Sequence, residues 1–131
     1  MMLKQCAVLF IFLCLSCADT FAESYKYNTE VTLEGALVLP TADPEVTNCD
    51  KPHQFPAINL PDPISVVCDP MDTGCQGETG VILLHLVLKQ PQMAKFKKLK
   101  GKTAKVTGTL FHAESGHDFT SVLMNVDSIS R

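Results

Sequence analysis

Near the C-terminal end, the run HAESGHD sets four ligand-capable side chains close together: His112, Glu114, His117 and Asp118. Imidazole nitrogen and carboxylate oxygen bind zinc and similar divalent ions, at about 2.0–2.2 Å for zinc. All four are expected ligand-binding residues, with His112, His117 and Asp118 the expected metal ligands if a divalent ion is held. The spacing matches no established zinc signature. A structural reading stands beside the metal one. In it, His112 continues the inward register of Leu110 and hydrogen-bonds within the fold, while His117 caps the turn at Gly116.

The rest of the chain offers little reactive chemistry. His85 lies inside VILLHLVL and reads as a buried histidine satisfied by its neighbours, and His53 follows Pro52 in a solvated loop. No Ser-His-Asp, P-loop or HExxH pattern is present, so no catalytic residue and no cofactor beyond the optional metal are assigned. A nucleophilic role for Cys49 would need a neighbouring base to lower its pKa.

The elements that must hold HAESGHD in place are mostly strands. In Val31–Leu39, Val31, Leu33, Leu37 and Leu39 share one face while Thr32 and Glu34 take the other, the mark of a half-buried strand. After the loop PTADPEVTNCDKP, a second strand runs from about Phe55 to Val67, with Pro61 and Pro63 predicting an edge or a bend. Val81–Leu88 is apolar on both faces apart from His85 and is expected to be the most buried strand. From Gln90 to Lys100 the period changes to three (Met93, Phe96, Leu99), with Pro91 at the start and Gly101 as the stop, which predicts a short helix. Alternation returns in Thr103–His112 and Val122–Ile129. Three strands, a helix and two strands is the order of an OB-like five-stranded barrel, so the expected fold class is all-β with one short helix between strands three and four.

The N-terminus sets the expected compartment. Lys4 precedes a charge-free apolar run from Cys6 to Cys17, shorter than the roughly 20 residues that span a bilayer. Small residues follow it, as in a secretory signal peptide. Residues 1–22 are the expected leader, cleaved after Ala22 or alternatively after Ala18, with residues 23–131 forming the barrel domain. A lipidated Cys17 is disfavoured because Cys14 stands where a branched apolar residue is usual. Export to the periplasm or medium follows, without membrane insertion after processing. Cys49, Cys68 and Cys75 remain in the processed chain. The turn-rich CDPMDTGC brings the ends of its short segment together, whereas a strand separates Cys49 from Cys68, so Cys68–Cys75 is the expected disulfide.

The net charge is −3, and removing Lys4 and Asp19 with the leader leaves it unchanged. Lys95, Lys97, Lys98, Lys100, Lys102 and Lys105 crowd one acid-free stretch, leaving the remainder strongly acidic and the lysines a solvated helix face. Trp is absent and most Phe fall in the leader or on strands. Stacking platforms for bases are thus scarce, and no nucleic-acid partner is expected.

At Gly108–Leu123 the sequence GTLFHAESGHDFTSVL resembles domain-of-unknown-function family 4431 of exported bacterial proteins, with VTLEGAL (31–37), DKP (50–52), PISV (63–66) and GKTAKVTGTLFHA (101–113) in support. The resemblance implies histidines where Glu114 and Asp118 stand, so the family's histidine-rich hairpin is reduced here to His112 and His117. It also implies a cysteine pair where this chain has Ser24 and Ser65, making Cys68–Cys75 a separate local staple. No activity comes with the resemblance. The expected function is a monomeric, non-enzymatic binding or interaction module for an envelope ligand or protein, using the barrel face near the 112–120 turn. A metal-dependent hydrolase on the 112–118 residues and an inhibitor of a secreted enzyme or toxin are the rival readings.

Overall fold

The computed structural model describes residues 23–42 and 52–131; the expected leader with Cys17 and Ala22, and Cys49, lie outside the described residues. Among the described residues, eight strands and one helix follow in order: β1 (Ser24–Lys26), β2 (Glu30–Val38), β3 (Thr41–Ala42), β4 (His53–Gln54), β5 (Ala57–Val67), β6 (Glu78–Val87), α1 (Gln90–Leu99), β7 (Thr103–His112) and β8 (Val122–Ser130). The five long strands close on themselves. β2 pairs with β5, β5 with β6, β6 with β8, β8 with β7, and β7 again with β2. All these pairings are antiparallel except β6–β8. The chain is therefore all-β with one short helix, a closed five-stranded OB-like barrel as its sequence predicts.

Alternation decides what each strand buries. Leu33 and Leu37 of β2, Ala104, Val106 and Leu110 of β7, and Val122, Met124 and Val126 of β8 point into one core. Thr32 and Thr107 meet on the outside, their hydroxyls 2.8 Å apart. β6 departs from expectation. Its inner residues Val81, Leu84 and Leu86 are buried, but Ile82 and Val87 are 44% and 38% exposed, because a barrel wall is one layer thick and its outer face has no sheet behind it. The most buried strand is β8, where Val122, Leu123 and Met124 are fully enclosed.

The helix plugs one end. Phe96 is its buried contact, while Met93 stays exposed. Gln92 holds the first turn from both sides, accepting from the Lys89 amide (3.1 Å) and donating to the Asp127 carbonyl (3.0 Å). Gly101, at φ 83°, ends the helix in a conformation that glycine adopts at no steric cost. Its amide then reaches the Leu37 carbonyl at 2.8 Å, tying helix and barrel together.

Three short strands escape sequence periodicity. β1 runs parallel to the end of β5 and places Ser24 directly beside Ser65, the two positions to which the family resemblance assigns a cysteine pair. β3 and β4 pair through Thr41–Gln54 and Ala42–His53, which draws the two ends of the long β2–β5 connection together. Pro61 and Pro63 do mark a break in β5: its register against β6 shifts between Asn59 and Ile64.

Candidate functional site

His112 ends β7, and its ring is held from both sides. Nδ1 lies 3.0 Å from the Ala113 carbonyl and Nε2 lies 2.9 Å from Oε1 of Glu78 at the start of β6. The carbonyl accepts, and so does Glu78 as a carboxylate, so both ring nitrogens donate when the ring is protonated. The Glu78 hydrogen bond accordingly raises the His112 pKa above its ordinary value, against a smaller opposing effect of burial. Tyr27 packs edge-on to the same ring at 6.0 Å and donates from its hydroxyl to the Gln76 carbonyl. Burial, then the charge of Glu78, raises the Tyr27 pKa, so it remains a neutral phenol.

The structure does not bring His112, His117 and Asp118 to one point. Oδ2 of Asp118 accepts from the amides of Glu114 (2.7 Å) and Ser115 (3.0 Å), closing the turn with its own carboxylate. Glu114 and His117 are exposed on that turn, and the amide of His117 leans on Ser115 Oγ at 3.4 Å. Among the described residues no group of three or more His, Cys, Asp and Glu side chains gathers to hold a metal ion. His112 is engaged at both ring nitrogens by groups of the fold.

A second cluster forms on the outer face of β6, where the 113–121 turn meets the end of the β2–β5 connection. Phe119 stacks on His85 with ring centres 5.4 Å apart and lies nearly parallel to His53 at 6.4 Å. Phe55 closes on both Phe119 and His85 at 5.1 Å. Phe55 is buried with Ala42 and Ala57, Phe119 and His85 are half-buried, and His53 is exposed. The Phe119 amide donates to Nδ1 of His85 at 3.4 Å, which leaves the proton of a neutral ring on Nε2. Burial lowers the His85 pKa, with Asp118 pulling weakly the other way. Sequence reasoning missed this group because its members are far apart in the chain, and only the partial burial of His85 was legible.

The stretch from β6 through β8, residues 83–130, matches the family model described as Domain of unknown function (DUF4431). Residues 83–130 are thus similar to DUF4431. The matched span takes in the run at 108–123 and most of the core strands, and it leaves out the supporting segments at 31–37, 50–52 and 63–66. It contains His85, His112 and Phe119, while Glu78, Tyr27, His53 and Phe55 fall outside the DUF4431 match. No curated protein matches the chain. Cys68 and Cys75 are bridged, with Cα atoms 5.9 Å apart.

The His112–Glu78 pair has a pH signature. A pKa raised in the folded state contributes stability that is fully present below the unfolded value near 6.5 and is lost as pH rises through the folded value. His112 is about a third exposed, so the contribution is screened and stays below about 1 kcal/mol. His112→Gln should therefore lower the melting temperature more at pH 5.5 than at pH 9. A gap of equal size at both pH values would mean the ring is neutral in the fold.

Proposed function

We infer that the chain is an exported, monomeric, non-enzymatic binding or interaction module, and that its working surface is the outer face of β5 and β6 beside the 113–121 turn. The observation that carries this reading is the platform of His53, Phe55, His85 and Phe119. Flat rings at a half-open surface offer a contact that is apolar yet directional, and His85 adds one N–H donor without adding charge. By analogy of fold alone, barrels of this topology take ligands on the face of strands two and three, beside the loop between strands four and five, which here is the 113–121 turn. The Cys68–Cys75 bridge fits an oxidising compartment and so supports export. Occupation of both His112 nitrogens supports a structural role for that histidine over a catalytic one.

The reading is tested by titrating the 15N-labelled protein with a panel of neutral oligosaccharides, muramyl peptides and short peptides. Shifts should centre on His85, Phe119 and Thr120, and Phe119→Leu should weaken the best binder about tenfold, the size of a lost anchor. Shifts confined to another face, or none across the panel, would refute the placement. Zinc-dependent turnover of any panel member would replace it with the hydrolase reading.

A further inference from the structure

At the opposite edge of β5 the barrel wall has an opening. β2 pairs with β5 only through Ala36, Leu37 and Val38, and β1 pairs with β5 only through Ser65, Val66 and Val67. Between these contacts, Leu60–Ile64 of β5 and Thr32–Glu34 of β2 line a groove of about 670 Å³. Its cause lies in the sequence. Pro61 and Pro63 have no N–H to offer a neighbour, and the register of β5 against β6 slips over the same stretch. Gly35 marks where the two strands still touch, since a Cβ there would collide with the Asn59 carbonyl.

The groove presents unpaired backbone on its β2 side. The Leu37 amide donates to the Lys102 carbonyl at 3.0 Å, so odd positions of β2 direct their backbone groups towards β7. By alternation, Thr32 and Glu34 direct theirs into the groove, beyond the last β5 partner. The floor is apolar: Leu33, Leu60 and Ile64 are each no more than 6% exposed. Side-chain charge of one sign surrounds it, from Glu23, Glu34 and Asp62, and neither lysine nor arginine lines it. Lys105 pairs opposite Glu34 on the far, β7 side.

We propose that this groove is a strand-addition site for an extended segment of a partner protein in which apolar residues alternate with lysine or arginine. Backbone pairing with Thr32 and Glu34 supplies the docking, as in other strand additions at open sheet edges. The two-residue alternation of a strand then sends apolar side chains to the floor and basic ones to Glu23, Glu34 and Asp62. A segment of uniform polarity meets one of these two demands and fails the other. The site is distinct from the aromatic platform and stands without it.

The test uses the purified protein and the capped peptide Val-Lys-Ile-Lys-Val-Lys, with Val-Glu-Ile-Glu-Val-Glu as its counterpart. Saturating lysine peptide should slow hydrogen exchange at the Thr32 and Glu34 amides about tenfold. The glutamate peptide, a lysine peptide N-methylated at alternate amides, and the lysine peptide on the double variant Glu34→Lys/Asp62→Lys should each bind about tenfold more weakly, in line with charge and backbone recognition. The peptide changes leave the protein untouched, so the result does not depend on how the variant folds. Equal affinity for the two charge types, binding that leaves Thr32 and Glu34 exchange unaltered, or no binding at millimolar peptide would overturn the proposal. Slowing of the same two amides with protein concentration alone would give the groove to a second copy of the chain and overturn it as well.

Discussion

Gly108→Ala should lower stability by about 3 kcal/mol, the upper part of the range for overpacking a core. Gly108 sits mid-strand in β7, opposite Val31 of β2 and Val126 of β8. The β7–β8 register shifts between Thr107 and Gly108, which brings the β8 backbone unusually close. A Cβ at this point would collide with the Asn125 carbonyl and stand 2.8 Å from Cγ of Met124. The methionine side chain can swing aside, but the carbonyl belongs to the ladder and Met124 is fully buried, so relief requires moving β8 itself. For a domain of about 100 residues such a loss corresponds to a fall of about 10–20 °C in melting temperature. Gly77→Ala is the control, because its Cβ would meet only the Val66 carbonyl, at 3.2 Å. Similar melting temperatures for the two variants would mean that β8 can slide away from β7 at little cost.

The same local physics explains which parts of the fold are legible in the chain. Strand alternation needs only neighbours in sequence, so β2, β7 and β8 could be read from Val31–Leu39, Thr103–His112 and Val122–Ile129 almost to their ends. The expected full burial of Val81–Leu88 failed at Ile82 and Val87 because apolarity on both faces of a strand does not specify a second layer to cover it. β1 has three residues and finds its partner in β5, so no period could reveal it. Sites are harder still. The run HAESGHD could be seen to carry ligand-capable groups, yet Glu78, the residue that fixes His112, is 34 positions away. Asp118 is consumed by amides of its own turn, a demand that any tight turn makes of a carboxylate within reach. The aromatic platform joins two loops to a strand and exists only once the barrel has closed.

Replacing Cys68 and Cys75 together by serine should lower stability by about 2–3 kcal/mol, the loop-closure entropy that a ring of this size withholds from the unfolded chain. The local sequence supports the bridge without needing it to be strong. Within the ring, the Asp72 amide donates to the Asp69 carbonyl at 2.9 Å and the Met71 amide to Oδ1 of Asp69 at 2.9 Å, while Gly74 takes φ 102°. Met71, 89% exposed, contributes no packing. Both cysteines pack against the edge of the main core, so the ring is pinned at its base and free at its tip. The loss should reach beyond the ring, because Asp72–Gln76 form one wall of a hollow of about 410 Å³ whose other wall includes Tyr27 and His112. Loosening that wall frees the Gln76 carbonyl from the Tyr27 hydroxyl and weakens the enclosure of the His112–Glu78 pair. The double serine variant should therefore show a lower melting temperature and a His112 titration shifted back towards the ordinary histidine range. Reductant should depress the melting temperature of the native chain but not that of the variant. Peptide mapping that found Cys49 joined to either cysteine in solution would contradict the local ring, and an unchanged His112 titration would show that the disulfide loop and the histidine pair are independent.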